Sequence, residues 1–553
     1  MSDEFYQDAP SLGNQFETDV LLRAYLEWRL PPAIRDQVTP ELFHLGERAV
    51  TELLALGDAA EAEPPRHVPY DPWGRRVDRI EVSDAWRALD RISAETGLVA
   101  TAFERRHGAW SRVHQMAMLY LFHPSSATYS CPLAMTDGAA RFLELHGDAR
   151  TREAFDRLTS RDPSRFWTSG QWMTERTGGS DVSGTSTVAR LDESGNTYRL
   201  YGTKWFTSAT TSQMAITLAR IEGAPAGGRG LSAFFVQLRD GDGALRGIRV
   251  NRLKDKLGTR ALPTAELTLD GTPALLVGGA GDGVRKIASL FNVTRVYNAV
   301  AAVSGMRRAL ALAHDYAARR QAFGKRLADH PLHAETLAGL DARFHAAFHL
   351  TFQVVELLGR EETGEATDAE LAMLRLLTPV AKLFTAKQAV LVASEVMESF
   401  GGAGYIEDTR IPRLLRDAQV LPIWEGTTNV LSLDVWRAIE RTDALAPWLE
   451  HLRAEMAGVR HPSCAIAAFA VRSAAELIGA YVRRTTEPAQ RELSARRLAF
   501  AIARTAAASR LVAHAEWEAA RSAADPESTA PAVERMSRWL ARDLAAGLDV
   551  VAP

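Results

Sequence analysis

At 553 residues, 46% of them hydrophobic and 24% charged, the chain has the composition of a soluble globular protein. It is too long for one small core, so three or four domains or one large multi-part subunit are expected. A net charge of -3 excludes a nucleic-acid binder that works through overall charge and leaves only local patches open. The two cysteines, Cys131 and Cys464, lie far apart without metal-ligand spacing and read as buried small apolar residues of a reducing compartment.

The first residues, MSDEFYQDAPSLGNQF, are acidic and polar, unlike a signal peptide. No apolar run is read as reaching the ~18 residues of a membrane span, so a cytoplasmic protein without membrane contact is expected. Residues 18–158 carry apolar side chains at three- and four-residue spacing and predict helices. Thr39 and Ser83 stand where N-caps belong, with Glu41 and Asp84 suited to the first turns. The proline-punctuated stretch 63–83 reads as a loop between helices.

From about Phe166 the period changes. Short segments rich in Thr, Val, Phe and Tyr, bounded by glycine turns, predict a small, mainly antiparallel β domain. Near its entry Met173-Thr-Glu-Arg-Thr-Gly-Gly-Ser-Asp181 gathers hydroxyls, backbone amides and glycines. Lys204-Trp-Phe-Thr-Ser208 then sets aromatics beside a hydroxyl on a strand. Together they suit a flat, polar-edged ring. The glycines of 277–283, VGGAGDG, lack a βαβ context and read as a surface turn.

Helical periodicity returns after Gly283 and predicts a bundle, with the stripe Val300–Leu312 in its core. His345 and His349 have metal-ligand spacing, yet no HExxH glutamate accompanies them, so they read as ordinary helix histidines and no metal site is expected. The bundle closes on GGAGYIEDTRIPRLLRDAQVLPIWEGTTNV, residues 401–430, where glycines permit close backbone approach. Glu425 there, beside Leu421, Pro422, Ile423 and Trp424, could act as a base. Beyond Thr442 comes a helical segment rich in Ala and Arg and free of lysine. It carries Arg483, Arg484, Arg491, Arg496, Arg497, Arg504 and Arg510 against only Glu487 and Glu492 over that span. A solvated helix face or a subunit interface is the plainer reading, and phosphate contact the other. The expected fold class is α+β, mainly α: an N-terminal helical domain (1–165), a β domain (166–283), a helical bundle (284–441) and an additional helical domain (442–553).

MTERTGGSDV, GTKWFTSA, KDKLGTRALPTAEL, NVTRVYNAV, YAARRQAFG, FGGAGY and IWEGTTNV, in this order and spacing, resemble the acyl-CoA dehydrogenase flavoprotein family. The long N-terminal region, the YDPWGRRVD stretch and the C-terminal extension resemble its AidB-like subgroup, associated with protection of DNA from alkylation. The resemblance implies an N-terminal helical domain, a middle β domain, a four-helix bundle and a further helical domain, with FAD as cofactor. By position, Met173, Thr174, Gly179 and Ser180 would line the flavin pyrimidine, with Phe206 and Ser208 against its other side and N5 edge. Arg320 and Phe323 would reach the FAD of a neighbouring subunit. Glu398, Gly401 and Gly402 would grip its nucleotide part, and Thr427 and Asn429 its pyrophosphate and adenine; Glu398 stands where a glutamine is usual.

Glu425 matches the family's base, which takes the α-proton of a thioester while hydride leaves for flavin N5. Relatives with the base on the helix of NVTRVYNAV place it where this chain has Thr294, and Arg295 beside it would be an electrostatic partner. Trp424, in place of the usual tyrosine, would narrow the substrate cavity. Three functions stay open: an acyl-thioester dehydrogenase, a flavoprotein that binds duplex DNA through Arg483, Arg484, Arg496 and Arg497, and a tailoring oxidase of secondary metabolism. A homotetramer, as a dimer of dimers, and an electron-transfer flavoprotein or O2 as electron acceptor are the partners the resemblance implies.

Overall fold

A computed structural model of the chain describes residues 8–193, 195–521 and 531–544. Two compact units emerge, each assembled from separated stretches: Thr51–Glu104 with Phe122–Tyr297, and Met1–Val50 with Arg105–Leu121 and Asn298–Pro553.

The first unit is built on strands. Its hairpin, β1 (Arg66–Tyr70) and β2 (Arg76–Glu81), occupies the stretch expected to be a loop. Prolines 69 and 72 suggested breaks, but the alternation in β2 turns Asp78 and Ile80 inward, and Gly74, at φ +81°, closes the turn. Asp78 accepts from Arg76 Nε (2.7 Å) and from the Val250 N–H (3.1 Å), which fixes the hairpin to the larger sheet. Ser83 caps helix Asp84–Thr96 as expected, its hydroxyl accepting from the Trp86 N–H.

The larger sheet comprises β3 (Ser169–Trp172), β4 (Val188–Leu191), β5 (Tyr198–Ser208), β6 (Met214–Ile221), β7 (Leu231–Gln237), β8 (Ile248–Leu253) and β9 (Thr264–Val277). Pairing runs β6–β4–β5–β9–β7 and returns from β7 to β6, closing a barrel. β3 lies parallel beside β6, and β8 antiparallel beside β9. Strand alternation sorts the side chains. Ala215, Ala219, Phe234 and Val236 join Trp172, Leu200 and Leu267 in one core, while Met214, Ile216, Leu218, Ala233 and Phe235 pack against Phe142 and Leu143 of helix Ser130–His146 in another.

The second unit is helical. Its bundle combines the helix Ala288–Arg319, from Asn298 onward, with Pro331–Thr363, Asp368–Ser399 and Thr428–Thr442. Thr367 and Glu370 form a capping box at the start of Asp368–Ser399, and Val300, Val303, Met306 and Leu310 lie in the core as their spacing required. The helices Leu445–Ala457, Pro462–Arg484, Pro488–Arg521 and Pro531–Trp539 complete it. Buried charge pairs join its separated stretches: Asp19 accepts from Tyr120 Oη (2.7 Å) and Arg307 Nε (2.9 Å), and Arg112 binds Glu362 through Nε (2.8 Å) and Nη2 (2.6 Å).

Two further expectations change. Thr39 is no cap: helix Pro32–Arg48 runs through it and through Pro40, and the Thr39 hydroxyl bonds back to the Arg35 carbonyl (2.8 Å), so Glu41 is not in a first turn. Asp368–Ser399 and Pro462–Arg484 also contain windows of mean hydropathy 1.3 and 1.5, long and apolar enough by composition to span a membrane. The first window is 83% buried inside the fold, as a core helix is, and the second 39%. Cys131 and Cys464 are buried, and neither forms a disulfide among the described residues.

Candidate active site

In the barrel unit the MTERTGGSD turn is anchored by a buried ion pair. Lys204 Nζ meets Glu175 Oε1 at 2.9 Å, and Ser186 and Thr187 donate their hydroxyls to the same carboxylate (2.6 and 2.5 Å). Burial alone would raise the Glu175 pKa, but the Lys204 charge and the hydrogen bonds outweigh it and hold the pKa at about 2. The Trp205 N–H donates to the Thr174 carbonyl (2.9 Å), which sets the turn against β5. Gly179 must be small, since a Cβ there would meet Thr174 Oγ1 at 2.5 Å. Met173 is buried, Thr174 half-buried and Ser180 exposed. On β5 the Phe206 ring is 53% exposed, an unusual state for a large aromatic on a barrel strand, and Ser208 Oγ lies 3.0 Å from Thr264 Oγ1. Lys254 Nζ sits 4.6 Å from the Phe206 ring centroid and 2.6 Å from Glu266 Oε1. An open aromatic face beside hydroxyls and backbone amides fits a flat heterocycle.

Thr294 and Arg295 lie near the start of helix Ala288–Arg319, within the barrel unit. Thr294 is buried, and its hydroxyl donates to the Phe291 carbonyl (3.2 Å), so no base stands at that position. Arg295 is half-buried.

In the helical unit Glu425 has φ +56°, a left-handed conformation that glutamate rarely adopts. The reason is visible on both sides of it. The fully buried Lys382, from helix Asp368–Ser399, donates to the Trp424 carbonyl (2.6 Å) and to the Gly426 carbonyl (2.7 Å), pinning the residues that flank the carboxylate. Asn298 holds the approach to the turn, accepting from Trp424 Nε1 and donating to the Leu421 carbonyl (3.3 Å). Of the apolar neighbours, Leu421 and Pro422 are buried whereas Ile423 is exposed, so the apolar setting covers one side of the loop.

Thr427 occupies the N-cap position of helix Thr428–Thr442, and its side chain makes no capping bond. Thr427 and Asn429 are exposed, as are Glu398, Gly401 and Gly402. Gly401, at φ +60°, takes the chain out of helix Asp368–Ser399. Arg320 leads into a two-residue hairpin, Gln321–Ala322 against Lys325–Arg326, with Phe323 and Gly324 both at positive φ on its tip. Phe323 is 96% exposed, which suits a residue used by a second copy.

The C-terminal arginines separate into two groups. Arg491 pairs with Glu440, Arg510 is buried against Glu455 (2.7 Å), and Arg496 Nη1 donates to Asn429 Oδ1 (3.2 Å). Arg483, Arg484 and Arg497 stay exposed. His349 is buried and His345 half-buried, and a third histidine, His514, comes from 165 positions away to place its ring 4.6 Å from that of His349. Among the described residues no group of three or more His, Cys, Asp or Glu is arranged to hold a metal ion. Lys382, Asn298 and the Arg496 contact escaped sequence reading. Lys382 alone left a trace, as a lysine inside the apolar run LLTPVAKLF.

Residues 170–272 match the acyl-CoA dehydrogenase middle domain and residues 281–440 its C-terminal domain. Residues 9–163 match the adaptive response protein AidB N-terminal domain, and 443–549 the acyl-CoA dehydrogenase 11 C-terminal domain-like family. The chain is 48% identical over 442 residues to acyl-CoA dehydrogenase family member 11 of Caenorhabditis elegans, covering 78% of this chain and 72% of that protein. It is 33% identical over 427 residues to the putative acyl-CoA dehydrogenase AidB of Escherichia coli, covering 75% and 77%. The crystal structure of C. elegans ACDH-11 in complex with C11-CoA superposes with a TM-score of 0.93 at 42% identity, covering 98% of this chain and 94% of that one. The apo form of Bd2924 gives 0.87 at 54% identity, covering 92% and 100%. The chain belongs to the acyl-CoA dehydrogenase family of FAD-dependent oxidoreductases, in its AidB-like branch.

Proposed function

We propose that the chain oxidises an acyl thioester, with Glu425 as the base that removes the α-proton. The observation that carries this reading is the Lys382 clamp: two hydrogen bonds to the carbonyls on either side of Glu425 hold one carboxylate in a left-handed backbone conformation. Backbone strain maintained by a buried side chain is the signature of a positioned functional group. Bound FAD supplies the hydride acceptor. Phe206 would offer it a ring face and Ser208 a hydroxyl, and Thr174 and Ser180 would hold it through polar groups. The carboxylate of Glu425 accepts the α-proton, and the thioester carbonyl draws off the charge that develops. Trp424, fixed by Asn298, is a bulky wall beside the base and limits the acyl group. The C11-CoA complex of ACDH-11 supports a CoA thioester of medium chain as the first substrate to test.

Anaerobic mixing of the FAD-loaded protein with a panel of acyl-CoA thioesters, C11-CoA among them, should bleach the flavin. Glu425→Gln should slow bleaching by about 10²- to 10⁴-fold, the usual contribution of a general base. Unchanged bleaching in that variant would remove Glu425 from the role. If the panel fails while carrier-bound or free acids reduce the flavin, the tailoring-oxidase reading takes its place. A homotetramer in the cytoplasm, with an electron-transfer flavoprotein or O2 as electron acceptor, completes the proposal, and the 96% exposed Phe323 supports its oligomeric part.

Binding of duplex DNA is the second reading. It rests on Arg483, Arg484 and Arg497, since Arg491, Arg496 and Arg510 are engaged within the chain. A gel-shift titration should show affinity that falls with salt and falls further in Arg483→Ala/Arg484→Ala; absence of any shift at low salt ends this reading.

A further inference from the structure

A cleft of about 780 Å³ lies within the barrel unit, bordered by the β1–β2 hairpin, helix Asp84–Thr96 and the turn after β7. Thr168 and Gln213, which line it, precede the parallel strands β3 and β6. Met173 and Thr174 follow β3 at its other end. The cleft therefore opens at the end of β3 opposite to Met173 and Thr174.

Its walls carry Arg75, Arg76, Arg79, Arg87, Arg239 and Arg249. Arg76 pairs with Asp78 (2.7 Å), Arg79 with Glu81 (2.8 Å) and Arg87 with Asp84 (2.6 Å). Arg75, Arg239 and Arg249 pair with no carboxylate among the described residues. The lining carboxylates leave this excess in place. Asp78 is already held by Arg76, His67 and the Val250 N–H. Burial raises the Asp90 pKa against the hydrogen bond from Tyr129, and Asp242 stands exposed on the rim. Arg239 is the most informative of the six. Its guanidinium is half-buried, donates to the Ser212 carbonyl (3.1 Å), and is pushed below its ordinary pKa by burial alone. A partly desolvated cation without a counter-charge is costly, and a bound anion would relieve the cost.

We propose that this cleft binds a small anion carrying two or more adjacent phosphate groups. Guanidinium forks engage phosphate oxygens bidentately, and three uncompensated forks around one cleft match a multiply charged chain better than a single carboxylate.

Isothermal titration calorimetry of the FAD-loaded protein with sodium triphosphate, and in parallel with ATP, tests the proposal. Saturable binding of one triphosphate per chain is expected, with the flavin spectrum unchanged because the FAD phosphates occupy a different site. Arg75→Gln/Arg249→Gln, which alters two exposed side chains, should weaken binding by at least about tenfold, or 1.4 kcal/mol. Arg239→Gln should weaken it similarly, with thermal unfolding followed to confirm that the variant is folded. Equal affinity for triphosphate and ATP would assign recognition to the phosphates, and tighter ATP binding would add a contribution from the nucleoside. No saturable binding at low salt, or the same affinity in Arg75→Gln/Arg249→Gln, would overturn the proposal.

Discussion

Lys382 is a lysine with no exposed surface, and nothing about its own helix requires a charge there. Its ammonium donates to the Trp424 and Gly426 carbonyls of a turn 42 and 44 positions away, and these acceptors, which a left-handed Glu425 leaves outside any helix, offset part of the cost of burying it. Replacing it by methionine keeps most of the volume and removes both donors. Lys382→Met should destabilise the helical unit by about 1–2 kcal/mol, the order expected for two partly buried carbonyls that lose their donor. It should also slow flavin reduction by acyl-CoA by more than about tenfold while FAD stays bound, because a carboxylate displaced by an ångström loses its alignment with the α-carbon. Thermal unfolding and anaerobic stopped-flow on the same preparation separate the two effects; a destabilised variant with the parental reduction rate would make Lys382 a purely structural residue.

Between elements, what could be read from the letters was what is contiguous along the chain. Glu425 with Trp424, the 173–181 turn and the 204–208 strand each occupy one short stretch, so residue type and spacing were enough to pick them out. The hairpin β1–β2 was missed because Pro69, Pro72 and Gly74 argue locally for a loop, while its stability comes from Arg76 and Asp78 reaching β8, more than 170 positions on. The Asn298 contact to Trp424 spans 126 positions and leaves no local sign. Arg496 is the most consequential case. Composition grouped it with six neighbours as one basic patch, but helix Pro488–Arg521 delivers it to Asn429, in the first turn of helix Thr428–Thr442. Helix N-termini carry positive partial charge, so a guanidinium placed there without a carboxylate is unfavourable unless an anion lies between them. The FAD pyrophosphate is that anion if Thr427 and Asn429 act as their motif implies. Arg496→Ala should then weaken FAD retention by about tenfold, in line with the loss of one hydrogen bond to a charged group. Arg497→Ala, on the exposed face next to it, should leave retention unchanged. Ultrafiltration of the two variants compares them directly, and equal FAD content would place Arg496 outside the cofactor site.

Across the helical unit as a whole, the added C-terminal helices meet the bundle through a buried aromatic and imidazole cluster. His349 of Pro331–Thr363 and His514 of Pro488–Arg521 face each other, with Trp28 of Val20–Arg29 5.9 and 5.4 Å from their rings and Trp517 stacked 5.5 Å from His514. Neither ring nitrogen of His349 finds a hydrogen-bond partner among the described residues. Burial, reinforced by the charge of Arg535 at all three rings and of Arg510 at His349 and His514, holds His349 and His345 well below the ordinary histidine value and lowers His514 to about 3. The folded unit thus favours the neutral rings, and the sign of the pH effect follows. Stability is fully present above the unfolded-state value of about 6.5 and declines as the pH falls below it, by about 1.4 kcal/mol per pH unit for each such histidine, until the folded-state value is reached. The cluster should therefore open in mild acid. His349→Phe/His514→Phe keeps the aromatic packing and removes two of the titrating groups. Acid unfolding followed by tryptophan fluorescence, which reports on Trp28 and Trp517, should shift to lower pH in that variant and lose the part of its pH dependence that begins near 6.5. An unchanged acid midpoint would mean that groups other than these imidazoles set the acid limit of the fold.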